Sequence, residues 1–426
     1  MNKQNKRKNN LKLFPIYKMF SWDLLFYYAV NFLFLTKVKG ISASEILFID
    51  AFYPLFKIFF QIFGVSIIDG IGKRKSLIFG NLFVASSILI LILLNGPLAL
   101  TLSNLIMAIG YTLKELSEPT FLDDSIPASQ YKPNIFAKID GKGSYWYYIL
   151  AAISSVITGF IFVANNYLPM ILCFIFGLIS TLIAFNFEEI TVKKEKSNNT
   201  SSGIKNYIND LKISFKFIFK STRLRCLLLC SALICSIFSV FGTIRSSLLV
   251  SLTVPEEYFG IIAAVTQIIS AISSKKQQWF HETFKKRTLT WFSLTISISL
   301  IITGLFVIAK LPPVAISIVV SLLIFIVYFS KGAYFTLINR YYNSFSTPEL
   351  NTKIYAAKLL IESLIRMLVC LFISFLLGVT TIEYAYVILG CVLTLAFIFL
   401  LDYMKTRIGL KPEEYKKKDI EFTIVR

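Results

Sequence analysis

The chain has 426 residues, of which 56% are hydrophobic and 16% are charged, and it carries a formal net charge of +20. Because globular domains contain about 25% charged residues, this composition excludes an ordinary soluble enzyme. One His, and six Cys that lie in apolar stretches without C-x-x-C spacing, argue against a metal centre, a His-based catalytic relay or any other cofactor site.

Long apolar segments follow one another along most of the chain. A helix of about 20 residues crosses the hydrocarbon core of a bilayer, and the first segment lacks the cleavage site of a signal peptide. The sequence therefore predicts an all-α membrane protein with twelve transmembrane helices. The predicted spans are residues 17–36, 44–68, 76–95, 98–118, 144–163, 167–186, 226–251, 256–274, 288–309, 313–337, 354–378 and 382–402.

Basic residues are distributed unevenly between the predicted loops. With the N-terminus taken as cytoplasmic, the inner segments hold 34 Lys or Arg and the outer loops hold three, Lys37, Lys39 and Lys310. Cytoplasmic loops are enriched in basic residues, so we expect a multi-pass protein of the plasma (inner) membrane with both termini in the cytoplasm. Membrane insertion and anionic lipid then explain the net charge, and nucleic acid is not an expected partner.

A polar stretch, residues 187–222, separates six predicted spans from the other six. We interpret it as a cytoplasmic linker with an amphipathic surface segment. The expected organisation is a monomer with two pseudo-symmetric six-helix bundles, 17–186 and 223–402, flanked by cytoplasmic tails 1–16 and 403–426. Large transporters contain repeats of this kind and bind substrate between the halves, near the bilayer midplane.

The segment after predicted span two has a distinctive spacing. It runs from Gly64 to Lys75 and resembles the signature loop of the major facilitator superfamily, G-x-x-x-D-R-x-G-R-R/K. The matching positions are Asp69, Gly72, Lys73 and Arg74, whereas Val65 and Gly70 depart from the pattern. Residues 116–125 resemble the end of span four, and residues 137–142 the entry to span five, in drug-efflux branches of that superfamily. The resemblance implies a secondary transporter that works by alternating access.

The physical role expected of this loop is a cytoplasmic gate. Asp69 would accept hydrogen bonds from a helix N-terminus or a basic group in the opposite half. Gly72 would allow the tight turn, and Lys73, Arg74 and Lys75 would stay at the lipid headgroups. An ordinary solvated turn with an insertion signal is the alternative.

Asp23 lies about two turns into the first predicted span. An ionised side chain inside a membrane costs about 2.5–3.5 kcal/mol even on the lenient insertion scale, so it needs a partner or a purpose. We interpret Asp23 as the first candidate for a proton carrier, with Tyr27 and Asn31 on the same side of the helix as candidate cavity residues. The alternative is a helix-end carboxylate in contact with water.

Two further groups of charges lie in predicted spans two and four. Asp50 and Lys57 are seven residues apart and share a helix face, so they neutralise each other only through another group. Lys114 and Glu118 have i,i+4 spacing and are expected to pair, which leaves Glu115 free as a second-line candidate for proton coupling, like Asp50.

Span eleven carries Lys358, Glu362 and Arg366, each four residues from the next. This stripe should line a cavity or dock on acidic residues of the first half, with Glu362 preceding Arg366 in the favourable order for a pair. Glu362 is the second candidate for the proton carrier. Arg245 and Lys331 add unpaired cations, so we expect a basic second half and an acidic first half; the alternative is that helix-end lysines snorkel to the headgroups.

The preferred function is proton-coupled export of small amphipathic compounds, since aromatic walls accommodate amphipathic or planar molecules. The absence of a G-x-x-x-x-G-K-[ST] motif argues against ATP as the energy source. The principal alternative is an importer or facilitator of a small nutrient or metabolite, anionic in view of the cations of the second half. A lipid or peptide exporter and a non-transporting scaffold or sensor are further alternatives.

Overall fold

The computed structural model describes residues 3–127, 132–190, 222–284, 287–309, 313–345 and 348–405, and these ranges contain helices and no strands. The all-α prediction is therefore confirmed. Ten described helices are long and apolar enough to cross a bilayer. The first two predicted spans add to them in broken form, so the helix count is consistent with twelve. Apart from 187–190, 222 and 403–405, the predicted linker and C-terminal tail lie outside the described residues.

The helices follow the predicted spans along the chain. Several of them, including the helices that begin at Tyr53, Gly96 and Leu168, have proline in the first turn, where the missing N–H costs no intrahelical hydrogen bond. The helices are α1 (Lys3–Ser21), α2 (Asn31–Leu33), which continues into a π-helical turn at Phe34–Val38, α3 (Ala43–Asp50), α4 (Tyr53–Ile71), α5 (Lys73–Leu93), α6 (Gly96–Ser125), α7 (Lys132–Ala164), α8 (Leu168–Phe185), α9 (Thr222–Ser251), α10 (Glu256–Lys275), α11 (Gln277–Phe284), α12 (Thr288–Ile308), α13 (Pro313–Phe345), α14 (Pro348–Val379) and α15 (Ile382–Lys405).

The first of two compact units contains the described residues of Met1–Ser42, Phe52–Asn206 and Pro255–Ala264. Within it, α5 packs against α6 and α8, and α1 packs against α7. The α5–α6 crossing is very close, because a Cβ added to Gly110 would lie 2.7 Å from the carbonyl oxygen of Gly80. Small residues allow helix backbones to approach in this way inside membranes.

The second unit contains the described residues of Ala43–Ala51, Tyr207–Val254 and Val265–Arg426. Here α9 packs against α14 and α15, and α12 packs against α13 and α15. The short helix α3 packs on α14 in this unit. The hydroxyl of Ser44 donates to the carbonyl oxygen of Ser374 at 2.7 Å, and the hydroxyl of Ser374 donates to the carbonyl oxygen of Ser44 at 2.8 Å.

Neither of the first two predicted spans is one continuous helix. The chain is non-helical from 22 to 30, between α1 and α2, and Phe26 has a φ of +64° there, which is rare for a bulky side chain. Span two is interrupted between α3 and α4. Pro54 explains the second break, since it has no backbone N–H to donate to the carbonyl oxygen of Asp50 and its ring would clash with that carbonyl in a continuous helix.

A carboxylate anchors the turn between α4 and α5. Gly72 has a φ of +90°, and both carboxylate oxygens of Glu189 accept from the next two backbone amides, those of Lys73 at 3.1 Å and Arg74 at 2.8 Å. Anionic groups are favoured at a helix N-terminus, so Glu189 holds the start of α5. The expected role of Asp69 as a cytoplasmic gate is not tested, because its side chain lies outside the described residues.

The basic side chains of this turn, Lys73, Arg74 and Lys75, were expected at the lipid headgroups, and two of them have partners within the protein. Lys73 forms an ion pair with Asp124, and Arg74 donates to the carbonyl oxygen of Phe185 at 2.6 Å. These contacts are made because the C-terminal ends of α6 and α8 lie beside the turn and offer a carboxylate and an open carbonyl. The turn is therefore held within the first unit by contacts with Glu189, Asp124 and the carbonyl of Phe185.

We predict that Gly72→Ala destabilises the protein by about 1–2 kcal/mol, because a Cβ is disfavoured at positive φ and would lie 3.3 Å from Glu189. Gly70→Ala is the matched control, since Gly70 is helical and an added Cβ would meet nothing within 4 Å. Thermal unfolding of the two purified variants measures the difference. Equal melting temperatures would contradict the strained-turn interpretation.

A second prediction concerns the α5–α6 crossing. Gly110→Ala should lower the melting temperature, because the new Cβ meets the backbone of α5 at 2.7–2.9 Å and the helices must separate. Gly141→Ala, in α7, has open space around its Cβ and should be neutral or stabilising by up to about 1 kcal/mol through helix propensity. A loss of stability as large in Gly141→Ala would show that crowding is not the cause.

Candidate functional site

Asp23 lies at the break that follows α1, in the first unit. Its carboxylate oxygen Oδ1 accepts hydrogen bonds from the hydroxyl of Tyr28 at 2.8 Å, from the hydroxyl of Tyr111 and from the backbone N–H of Leu24 at 2.9 Å. The positive φ of Phe26 bends the chain so that Asp23 and Tyr28 meet. Strained backbone of this kind is concentrated at functional sites.

Aromatic rings surround this carboxylate. Trp22 stacks on Tyr147 with ring centres 5.6 Å apart and an interplanar angle of 22°, and it contacts Tyr148 at 5.5 Å. Tyr27 is buried and packs edge-on against Tyr28 at 5.2 Å. The carboxylate therefore lies among rings that present both apolar faces and hydroxyl groups.

Lys114 and Glu118 behave differently from the sequence prediction. Lys114 is 4% exposed, and its amine donates to the carbonyl oxygen of Ser21 at the C-terminal end of α1, where cations are favoured. Glu118 acts on Lys114 electrostatically, but its oxygen Oε1 is buried without a hydrogen-bond partner in the described part of the chain. The i,i+4 spacing was overridden because the end of α1 offers Lys114 a strong acceptor.

Lys18 forms a second buried cationic contact in this region. Its amine pairs with Asp140 and lies 4.3 Å from the ring centre of Trp22, an arrangement that adds cation–π attraction to the ion pair. Lys18, like Lys114, is buried among protein groups, so the snorkelling alternative is wrong for both. A cavity of about 320 Å³ is lined by residues that include Lys18, Tyr111, Lys114, Glu118 and Asp140.

The other predicted positions of the first unit have structural contacts. Lys57 pairs with Glu115 at 2.6 Å, so the prediction that Glu115 is free is wrong, because α4 packs against α6 and brings Lys57 to it. Asn31 accepts a hydrogen bond from the N–H of Phe32 at 2.8 Å at the restart of the helix. Asn31 and Lys57 therefore have partners in the fold itself.

The charged stripe of α14 lies in the second unit. Lys358 pairs with Glu362 at 3.6 Å, whereas the expected pair of Glu362 with Arg366 is not formed. Instead, Arg366 and Asp50 both act electrostatically on the thiol of Cys370. Asp50 packs here because α3 lies on α14. Asp50 therefore lies in the second unit, and the lysines Lys18 and Lys114 are buried in the first. The expected division into an acidic first half and a basic second half stays a prediction.

Arg245 and Lys331 meet at one aromatic ring of the second unit. Arg245 is 4% exposed and donates to the hydroxyl of Tyr328 at 3.2 Å. Its guanidinium carbon lies 5.6 Å from the centre of the Tyr328 ring, and the amine of Lys331 lies 5.2 Å from it. Lys331 also donates to the carbonyl oxygen of Phe238 at 3.2 Å.

Several residues of these clusters were missed by sequence reasoning. Tyr111 was not singled out, although Tyr111, Lys114 and Glu118 have the i, i+3, i+7 spacing of one helix face, a signal that was present. Tyr328 and Lys331 have the same i, i+3 relation. Glu189 had no local signal, because its role depends on the distant turn that it contacts.

Solved structures of transporters resemble this fold. A nucleoside transporter, NupG, aligns with a TM-score of 0.70 and 12% identity over 95% of this chain and 100% of its own. A variant of the peptide transporter POT in complex with alafosfalin aligns with a TM-score of 0.66 and 14% identity, covering 96% and 99% of the two chains. A bacterial homolog of the human lysosomal transporter Spinster gives 0.64 and 14%, covering 96% and 98%. At such identities the similarity shows the fold alone.

The sequence itself carries a family assignment. No curated protein matches the chain by sequence. The Major Facilitator Superfamily profile matches residues 17–369, which comprise most of the chain and agree with the signature-loop resemblance. The chain therefore belongs to the Major Facilitator Superfamily, and it is an integral membrane protein of a transporter family rather than an enzyme.

Proposed function

We propose that the protein is a proton-coupled secondary transporter that exports small amphipathic compounds and that Asp23 carries the coupling proton. It would act as a monomer in the plasma membrane with both termini in the cytoplasm. The observation that carries the proposal is the carboxylate of Asp23, held by two tyrosine hydroxyls at a break in a membrane helix. Discontinuous helices form the substrate and coupling-ion sites of many secondary transporters.

The partners of Asp23 suit a group that gains and loses a proton. A tyrosine hydroxyl both donates and accepts hydrogen bonds, so Tyr28 and Tyr111 can donate to the carboxylate or accept from the carboxylic acid. Asp23 takes part in none of the ion pairs among the described residues. Protonation therefore breaks no salt bridge, in contrast to Glu362, which is paired with Lys358.

The cavity beside Tyr111 offers a route for the proton. It is lined by Lys114, Glu118 and Asp140, and Glu118 has a buried oxygen with no hydrogen-bond partner among the described residues. Water in such a polar cavity can join these groups to the hydroxyl of Tyr111, which already contacts Asp23. Proton entry supplies about 2.3 kcal/mol per 100 mV of membrane potential, enough to drive the export of a cargo molecule against a gradient.

The nature of the cargo is inferred from the aromatic surroundings. Trp22, Tyr28 and Tyr148 are at least partly exposed beside Asp23, and stacking against such rings tolerates variation in ligand shape. Export is proposed from the resemblance of residues 116–125 and 137–142 to drug-efflux branches of the superfamily. An amphipathic cargo with a planar apolar part fits these surroundings best.

We expect Asp23→Asn to reduce transport driven by a pH gradient by about tenfold or more, because the amide cannot carry the proton. Exchange of cargo at equal pH on both sides should change by less than about threefold, since the amide keeps a hydrogen-bond acceptor for the tyrosines. The measurement is flux of amphipathic fluorescent dyes of both charge signs in proteoliposomes. Glu383→Gln, in the first turn of α15, is the matched carboxylate control.

Three results would contradict the proposal. Dye movement that ignores the pH gradient in the wild type would exclude proton coupling. Full gradient-driven transport by Asp23→Asn would remove Asp23 as the carrier. Movement of dye in the same direction as the proton would overturn export by antiport and favour uptake instead.

A further inference from the structure

Four polar side chains from three helices of the second unit form one cluster around Arg245 and Tyr328. Arg245 comes from α9, Tyr328 and Lys331 come from α13, and Tyr386 comes from α15. The guanidinium of Arg245 contacts Tyr328 and acts electrostatically on Tyr386. We name these four residues the cationic cluster.

The cationic cluster has hydrogen-bonding atoms that nothing in the described chain satisfies. Arg245 Nε and the hydroxyl of Tyr386 are both buried without a hydrogen-bond partner there, although the residues are only 4% and 2% exposed. An orphaned donor in such a position costs about 1–3 kcal/mol, and more when it is charged. The cluster therefore holds donors for a ligand atom that the protein does not provide.

The charge of the cluster is also uncompensated. Neither Arg245 nor Lys331 takes part in any ion pair among the described residues. Other buried cations of the chain differ, because Lys18 pairs with Asp140 and Lys358 pairs with Glu362. Charges inside a membrane protein are rare and normally paired, so two neighbouring cations without a counter-ion in the described chain distinguish this cluster from the single unpaired lysines Lys39 and Lys114.

A glycine of α9 lies beside the same residues. Gly242 precedes Arg245 by three residues on α9 and therefore lies on the same helix face. A Cβ added to Gly242 would meet only the hydroxyl of Tyr328, at 3.9 Å. This position lacks a side chain where it adjoins the donors of the cluster.

The geometry points to the cationic cluster as the binding site for an acidic group of the transported compound, a carboxylate or a phosphate. The guanidinium of Arg245 and the hydroxyl of Tyr386 would donate to the oxygens of the acidic group. Lys331, which lies over the ring of Tyr328, would add positive charge nearby. Guanidinium groups bind such planar or tetrahedral oxyanions with particular strength. This inference rests on the proposed transport function and narrows its cargo to amphipathic acids.

The test uses the purified full-length chain in nanodiscs of phosphatidylcholine, with thermal unfolding as the measure of binding. The probes are 3-phenylpropionate, octanoate and phenyl phosphate, each compared with its neutral counterpart 3-phenylpropanamide, octanamide or phenol. At least one acid should raise the melting temperature while its counterpart does not. Arg245→Gln should weaken that binding about tenfold or more, equivalent to about 1.4 kcal/mol.

Two further variants guard against misfolding and against a general charge effect. Tyr386→Phe removes a single oxygen atom that forms no hydrogen bond with the described residues, so it should fold normally and still weaken binding of the acid. Lys75→Gln removes one positive charge outside the cluster and should bind the acid like the wild type. Stabilisation by every acid equal to that by its neutral counterpart would overturn the inference, as would binding that survives both Arg245→Gln and Tyr386→Phe.

A lipid headgroup offers the same chemistry as an acidic cargo, so one arm replaces part of the phosphatidylcholine by phosphatidylglycerol. Stabilisation by this lipid that Arg245→Gln abolishes, together with loss of binding of the soluble acids, would assign the site to lipid and overturn the cargo inference. Binding and flux measured on the wild type separate the two proposals. Acid binding without gradient-driven flux in the wild type contradicts only the proposed function, whereas gradient-driven flux of neutral dyes without acid binding contradicts only this inference.

Discussion

The structure depends on the cost of placing a charged group where water cannot reach it. Every ionisable side chain within a membrane span must find a partner inside the protein or serve a purpose that repays the cost. Lys114 meets this requirement at the C-terminal end of α1, and Lys18 meets it at Asp140. Such contacts join helices that are otherwise held by apolar packing. Asp23 and Arg245 are contacted in the described chain by neutral hydroxyl or amide groups.

Helix breaks occur where this requirement is most demanding. The interruption after α1 frees backbone groups, and those groups are satisfied locally, since Asp23 accepts from the N–H of Leu24 and Asn31 accepts from that of Phe32. The left-handed conformation of Phe26 is part of the same arrangement. A continuous helix would carry the side chains of Asp23 and Tyr28 on different faces, whereas the break brings them within hydrogen-bond distance.

Hydrophobicity and charge were sufficient to predict the all-α fold and the later ten spans, because a membrane permits few alternatives for a long apolar segment. They did not reveal the breaks in the first two spans. The partners of the buried charges were predicted less well. The spacing rule placed Lys358, Glu362 and Arg366 on one face, but the pair that it favoured, Glu362 with Arg366, is not formed, and Lys358 pairs with Glu362 instead. The rule also failed for Lys114 and Glu118, because a distant carbonyl was a better acceptor than the side chain one turn away. Asp50 and Glu115 were assigned the wrong surroundings, since the packing of α3 on α14 and of α4 on α6 is a property of tertiary structure that no local pattern reveals.

The two polar clusters differ in a way that matters for transport. The carboxylate of Asp23 can exist with or without its proton, and its hydroxyl partners accommodate both forms. The guanidinium of Arg245 keeps its charge at every physiological pH, so it cannot take part in proton exchange but can hold an anion throughout a transport cycle. A titratable group can couple an energy source to a conformational change, whereas a permanent charge selects the cargo. Asp23 and Arg245 would supply these two roles under the proposals made above, and both are contacted by tyrosine hydroxyls, while neither takes part in an ion pair among the described residues.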